Sequence, residues 1–227
     1  MENVWTARIP RINELAPDFS AKTTQGPRSL ADYRGKWLIL FSHPADFTPV
    51  CTTEFLAFAA SYERFRTLGC ELLGLSIDST YSHLAWIRNI KEKFGVEIAF
   101  PIIDDLSMRV AHDYGMIQPG ASDTSTVRAT FFIDPEGKVR AMVYYPMTNG
   151  RSVEEFLRLL EALQTSDRHG VATPEGWRPG QKVMVPPPAT AKDADARARA
   201  GYEYTDWYFS KTDIAQSLPK KKKRATR

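Results

Sequence analysis

Hydrophobic positions along the chain alternate between short uninterrupted apolar runs and longer segments in which apolar residues recur every three or four positions. The run WLILFS, Trp37–Ser42, is uninterrupted and ends at His-Pro, which predicts a fully buried strand. Helical spacing then predicts a helix over residues 50–66. The pattern repeats as a strand at 70–77 and a helix at 82–94. Such alternation indicates an α/β fold with a mostly parallel, buried sheet.

The second half of the chain contains shorter predicted elements. Two runs of β-forming residues flank DPEG, residues 134–137, and predict an antiparallel hairpin. SVEEFLRLLEAL predicts the clearest helix of the chain, with Ser152 as N-cap and Glu155 three residues on. The predicted elements of this half are a strand at 100–103, a helix at 106–114, hairpin strands at 129–133 and 139–145, and a helix at 152–163.

After His169 the composition changes. Prolines and glycines, including PPP at 186–188, exclude regular structure for most of the following stretch. The segment YEYTDWYF, residues 202–209, is too aromatic to remain solvated at low cost, so we expect it to contact a partner surface, above all a second copy of the chain. We therefore expect a domain at 1–168, a C-terminal arm at 169–218 and a basic tail at 219–227.

Length and composition set limits on the class of protein. The 227 residues, 43% of them hydrophobic, suffice for a sizeable core. No window approaches the roughly 18 apolar residues of a membrane span, and the first residues lack the features of a signal peptide, so we expect neither membrane insertion nor export. Two cysteines fit a reducing compartment, which predicts a cytoplasmic location. Scattered histidines predict no metal site, and no cofactor is expected.

The net charge of +3 comes from the end of the chain. Residues 219–227, PKKKKRATR, hold six of the 30 basic residues, and the rest of the chain has 24 basic against 27 acidic residues. The body is therefore not expected to bind nucleic acid. The tail fits either a solvated end or a basic patch, which could contact nucleic acid or anionic surfaces and, in a eukaryotic host, could act as a nuclear-localisation signal.

Cys51 occupies a position with two interpretations. It falls in the first turn of the helix predicted at 50–66, where unpaired N–H groups and the positive end of the helix dipole stabilise an anion. A thiolate is the nucleophilic form of cysteine. A buried packing cysteine is the simpler interpretation of chain position alone. Thr48 and Glu54, three residues before and after Cys51, could supply a donor and an acceptor around one pocket.

A family resemblance changes that balance. Pro44, Thr48 and Cys51 form PxxxTxxC, and FSHPADFTPVCTTEF resembles the active-site segment of peroxiredoxins, specifically the one-cysteine, peroxiredoxin-six-like branch. The resemblance covers nearly the whole chain and implies a thioredoxin-like fold, with a central mixed sheet flanked by helices and an extended C-terminal arm. The further motifs follow in family order: APDFSA, GLSIDS, FPIIDD, TVRATFFIDPEGKVR, YYP, VPPP and DWYF.

The resemblance also implies a function. The chain would be a thiol-dependent peroxidase that reduces hydrogen peroxide and organic hydroperoxides through a sulfenic acid at Cys51, which an external thiol then reduces. Thr48 and Arg128 would bind the peroxide, and Arg128 would stabilise the thiolate and the transition state. The other implied roles are a shield from water for Pro44, the orientation of an arginine for Glu54, and a place in the pocket wall for His43.

Several alternatives stay open at this level. His43 could be a structural histidine, and Arg151 could be a second pocket arginine or a solvated residue. Cys70 opens a predicted buried strand, which favours packing. Because no cysteine follows Cys70, we expect a one-cysteine cycle in a homodimer, with assembly into a ring left open. Competing functions are a redox sensor or holdase on the same scaffold, and a cysteine hydrolase.

Overall fold

The computed structural model describes residues 9–122 and 124–214, which belong to two units, Met1–Val153 and Glu154–Arg227. The first unit contains β1 (Ser20–Ala21), β2 (Arg28–Ser29), a 3-10 helix (Leu30–Tyr33), β3 (Trp37–Ser42), α1 (Pro49–Thr67), β4 (Cys70–Ser76), α2 (Thr80–Phe94), β5 (Ile102–Asp104), α3 (Arg109–Asp113), β6 (Arg128–Ile133) and β7 (Val139–Tyr145). The elements that follow are α4 (Val153–His169), β8 (Val183–Met184), α5 (Ala191–Arg197), β9 (Glu203–Asp206) and β10 (Phe209–Thr212).

The main sheet has the strand order β5-β4-β3-β6-β7. Strand β3 lies at its centre, parallel to β4 and antiparallel to β6, and all six of its residues are buried. The β3-β4-β5 half is parallel, whereas the hairpin β6-β7 adds two antiparallel strands. The predicted mixed sheet and thioredoxin-like fold are therefore confirmed.

Most predicted boundaries agree with the structure to within three residues, and the differences have local causes. Pro49 is the first residue of α1 rather than a residue ahead of it, because its fixed φ suits a helix start and its missing N–H needs no partner there. The strand predicted at 100–103 instead covers Ile102–Asp104. Pro101 has no N–H to donate to a ladder, although its carbonyl accepts from the Gly74 N–H at 3.0 Å.

An aromatic cluster holds α1 against the sheet. Phe41 of β3 stacks on Phe58 at 4.2 Å between ring centroids and meets Phe55 edge-on at 5.6 Å. Phe100 and Trp86 complete the cluster, each within 5.5 Å of the Phe55 ring. Aromatic pairs of this kind contribute about 1 kcal/mol each beyond the area they bury. The helix that begins beside Cys51 is thus fixed in position by its own buried face.

The second unit is more regular than the sequence pattern predicts. Strand β10 pairs antiparallel with both β8 and β9, and buried Trp177 packs in a small core with Val171 and Val183. Helix α4 continues six residues past its predicted end at 163. Its stop signal is Gly170, which takes a φ of 65° and donates its N–H to the Ser166 carbonyl.

Gly95 ends α2 in the left-handed region with a φ of 69°, and an added Cβ would meet no atom within 4 Å. We expect Gly95→Ala to lower the free energy of unfolding by about 1 kcal/mol, purely through backbone strain. Gly120→Ala is the matched control, because Gly120 is equally open and has no positive φ. Chemical denaturation measures both variants, and equal losses would contradict the explanation.

Candidate active site

Cys51 is the third residue of α1 and its side chain is fully buried. The N-cap residue, Thr48, donates its hydroxyl to the Ala45 carbonyl at 2.9 Å, and its side chain makes no capping bond to the helix N–H groups. The first turn of α1, all of which the structure describes, contains no acidic residue. The positive end of α1 is therefore left to act on the Cys51 sulfur.

Arg128, the first residue of β6, contacts that sulfur. Its Nη1 lies 3.3 Å from Cys51 Sγ. Its Nε and Nη2 both donate to the Met147 carbonyl, at 2.9 and 2.7 Å, so the guanidinium plane is fixed from the opposite side. A guanidinium held in this way places charge beside the sulfur without loss of side-chain freedom at the moment of reaction.

Glu54, one helical turn after Cys51, binds two arginines. Its Oε2 accepts from Arg128 Nη1 and from Arg151 Nη2, each at 2.8 Å. Its Oε1 accepts from the Arg151 backbone N–H at 2.7 Å and from Arg151 Nε at 2.9 Å. Burial alone would raise the pKa of Glu54, but the hydrogen bonds and charge of Arg151, with the charge of Arg128, hold it below its ordinary value.

Arg151 belongs to the same buried cluster, so the interpretation of this residue as solvated is wrong. Its side chain is fully shielded from solvent, and its Nη1 donates to the Ala129 carbonyl at 2.8 Å and to Thr130 Oγ1 at 3.1 Å. The guanidinium also lies 5.6 Å from the centre of the Phe41 ring. The sequence could not decide whether Arg151 belongs to the pocket, because its partners come from three elements that are far apart in the chain.

The charges of this cluster leave a place for an anion. One carboxylate, Glu54, faces two guanidinium groups, and all three side chains are at most 3% exposed. One positive charge therefore remains uncompensated within the trio. A thiolate at Cys51 Sγ would balance it at 3.3 Å from Arg128, in surroundings where water screens charges poorly.

His43, directly after β3, lies in a second buried network. Its Nε2 is 2.9 Å from Asp46 Oδ1, and Asp46 Oδ2 is in turn 2.8 Å from His83 Nδ1. Burial lowers the pKa of His43, which outweighs the opposing effect of Asp46. Sequence reasoning missed Asp46 and His83, although an aspartate three residues after His43 was a local signal for the first of them.

One ligand atom from each of these three side chains lies within 4.8 Å of the others, which is close enough to consider a metal ion. The separations from Asp46 are those of hydrogen bonds, so the network itself explains the arrangement.

The remaining predicted site residues lie in the loop before α1, where Pro44 is buried and Thr48 is half-buried.

Cys70 is as buried as Cys51 but lies at the other end of the sheet. It pairs with Trp37, the first residue of β3, whereas Cys51 follows the last residue of that strand. Five strand residues span roughly 17 Å, so a disulfide between the two cysteines would require the fold to open. Burial raises the pKa of the Cys70 thiol far above its ordinary value. A packing role for Cys70 agrees with both observations.

Cys51, at the start of α1, and Arg128, at the start of β6, thus meet at one end of a thioredoxin-like sheet. Comparison with known families agrees. Residues 12–142 match the AhpC/TSA family and residues 162–201 match the C-terminal domain of 1-Cys peroxiredoxin. The chain belongs to the AhpC/TSA family and is a peroxiredoxin.

Relatives match over almost their full length. A peroxiredoxin of Aquifex aeolicus is 55% identical over 217 residues, which cover 91% of this chain and 98% of that protein. A solved yeast mitochondrial 1-Cys peroxiredoxin is 40% identical, with a TM-score of 0.79 over 90% of this chain and 99% of that one. A serine variant of peroxiredoxin 6 from Arenicola marina is 33% identical, with a TM-score of 0.80 over 93% and 99%.

Two further expectations concern membrane insertion and the basic tail. Across residues 9–122 and 124–214, no helix is both long and apolar enough to cross a membrane. The basic tail predicted at 219–227 lies outside the described residues.

Glu54→Gln removes the carboxylate that two buried arginines share. We expect the free energy of unfolding to fall by about 3 kcal/mol, because the charges of Arg128 and Arg151 lose their partner. Since the folded-state pKa of Glu54 lies below its ordinary value of 4.5, the stabilisation is complete above pH 4.5 and is lost as the pH falls through the folded pKa. The cost of the substitution should therefore shrink in acid.

The matched control for this measurement is Glu63→Gln on the same helix. Glu63 is exposed and pairs with Arg66 at 3.1 Å, so its loss should cost less than about 1 kcal/mol. Urea denaturation of the three proteins at neutral and acid pH separates the two cases. Equal costs for the Glu54 and Glu63 variants would show that the buried carboxylate does not hold the cluster.

Proposed function

We propose that this peroxiredoxin reduces hydrogen peroxide and organic hydroperoxides at Cys51. The observation that carries the proposal is the 3.3 Å contact between Cys51 Sγ and Arg128 Nη1, within a cluster that has one uncompensated positive charge. This arrangement favours the thiolate, and the same guanidinium can stabilise the negative charge that spreads over both oxygens as the O–O bond breaks.

In the proposed reaction the Cys51 thiolate attacks the terminal oxygen of the hydroperoxide. An S–O bond forms, the O–O bond breaks, and the leaving alkoxide or hydroxide takes up a proton to give an alcohol or water. Cys51 becomes a sulfenic acid. Thr48, whose hydroxyl proton goes to Ala45, offers the peroxide an acceptor oxygen, and buried Pro44 helps to exclude water.

An external thiol would complete the cycle. It would attack the sulfenic acid, release water and form a mixed disulfide, which a second thiol would reduce. Two observations support a one-cysteine cycle: Cys70 lies at the far end of the sheet, and residues 162–201 match the C-terminal domain of 1-Cys peroxiredoxin. The yeast relative was studied with glutathione and thioredoxin systems, which points to reductants of these two classes.

A homodimer in the cytoplasm is the proposed working form. Four aromatic side chains of the second unit are between 38% and 58% exposed, which is unusual for a surface that stays in water. A cleft beside them is lined by proline, alanine and threonine side chains, by one carboxylate, Asp195, and by Tyr204 and Trp207. The four exposed aromatic residues are Tyr204, Trp207, Tyr208 and Phe209.

The test of the function is rapid mixing with micromolar hydrogen peroxide in the presence of an external thiol. We expect Cys51→Ser to abolish peroxide consumption, because it removes the nucleophile. Cys70→Ser should retain roughly the wild-type rate, since Cys70 is buried and distant from the site. Loss of turnover in the Cys70 variant, or a wild-type rate no higher than that of a free thiol, would refute the proposal.

The test of the dimer is sedimentation of two surface variants. We expect Trp207→Glu to weaken self-association roughly tenfold or more, because it places a charge in an aromatic contact surface. Tyr81→Glu is the control, since Tyr81 on α2 is 84% exposed and lies outside that surface. A monomeric wild-type protein, or equal weakening by both substitutions, would argue against the aromatic interface.

A further inference from the structure

His83 is a buried histidine whose two ring nitrogens both face acceptors. It lies in the first turns of α2, with its side chain fully shielded from solvent. Its Nε2 is 3.0 Å from the Ile103 carbonyl oxygen, and its Nδ1 is 2.8 Å from Asp46 Oδ2. A carbonyl oxygen can only accept, so Nε2 carries a proton.

A second proton must lie between His83 and Asp46. With Nε2 already protonated, Nδ1 would present a lone pair, and a lone pair 2.8 Å from a carboxylate oxygen is repulsive. A proton on either partner removes the repulsion. His83 and Asp46 therefore share one proton in surroundings that exclude water, where such a charge-assisted bond is strong.

The other oxygen of Asp46 fixes the tautomer of His43. Asp46 Oδ1 lies 2.9 Å from His43 Nε2 and accepts its proton. Burial lowers the pKa of His43, so the ring stays neutral and Nδ1 keeps its lone pair. His43 Nδ1 is buried and has no hydrogen-bond partner among the residues that the structure describes.

Two contacts place His43 beside the reactive cysteine. Its ring is 4.9 Å from that of Phe55, which follows Cys51 by one helical turn and so shares its face of α1. Its carbonyl accepts from Thr126 Oγ1 at 2.7 Å, two residues before Arg128. His43 thus lies between the segments that supply the nucleophile and the guanidinium.

We propose that His83 is a positioning residue of the peroxidase site, which acts through Asp46 to keep His43 neutral, so that its Nδ1 lone pair is free to accept the second O–H of bound hydrogen peroxide while Thr48 accepts the first. The role rests on the proposed function, in which His43 lines the peroxide pocket. His83 itself is not expected to touch the substrate.

Two further carboxylates lie around the network. Asp78, in the loop between β4 and α2, accepts from the Asp46 backbone N–H at 3.0 Å, and its charge opposes the larger effect of burial, which lowers the pKa of His43. Asp104 on β5 accepts from Thr80 at the start of α2; burial raises the pKa of Asp104, but the hydrogen bonds from Thr80, with a smaller effect of the His83 charge, hold it below the ordinary value.

The wild-type protein allows a direct test by NMR of ¹⁵N-labelled histidine side chains. We expect His43 in the tautomer with its proton on Nε2, and His83 with a proton on Nε2 and a strongly hydrogen-bonded proton at Nδ1. A proton on His43 Nδ1, or a His83 Nδ1 with no such proton, would overturn the proposal. This measurement needs neither turnover nor a variant that folds.

Two variants separate positioning from simple packing. In His83→Asn the side-chain amide lies near the former Nδ1 position and can donate to Asp46. In His83→Gln the longer side chain places its amide near the Ile103 carbonyl, so Asp46 loses the donor that His83 provided. The uncompensated Asp46 charge should then raise the pKa of His43. The acid limb of the peroxide rate constant should move upward by about one pH unit in His83→Gln.

We expect His83→Asn to retain a pH profile close to that of the wild type. Equal displacement in both variants, or a fall in rate without a change of profile, would mean that His83 only fills space. A failure of the proposed function has a different signature: wild-type Cys51 would react no faster than a free thiol, while the NMR measurement would still decide the tautomer of His43.

Discussion

The buried carboxylate of Glu54 is the constraint on which the candidate active site depends. Two guanidinium groups in surroundings without water would repel each other at a large cost in free energy, and one carboxylate that binds both offsets that repulsion. Because it compensates only one of the two charges, the cluster stays positive next to Cys51 Sγ. The same contact that stabilises the fold therefore leaves positive charge beside the sulfur.

The topology of the sheet brings these groups together. Strand β6 runs antiparallel to β3, so its first residue, Arg128, lies at the end of the sheet where β3 finishes and α1 begins. If β6 were parallel to β3, Arg128 would lie at the opposite end of the sheet. Antiparallel pairing thus joins two residues that are 77 positions apart in sequence, and the loop after β7 adds the Met147 carbonyl and Arg151.

Local features of the site were predictable from sequence, and long-range ones were not. The apolar run of β3 and the helical spacing after Cys51 are local properties, and both elements form as predicted within a residue. Arg128 was identified only through the family resemblance. The Arg151 contacts and the His43-Asp46-His83 network remained open because hydrophobic periodicity reports burial but does not identify the partner of a buried polar group.

The two cysteines show why burial alone does not decide reactivity. Both are at most 1% exposed, and both belong to the same sheet-and-helix unit. Around Cys70 burial acts against the thiolate and raises the pKa of the thiol. Around Cys51 the same exclusion of water strengthens the attraction to Arg128 at 3.3 Å and to the start of α1. The charge near the sulfur therefore distinguishes the surroundings of two cysteines that are equally buried.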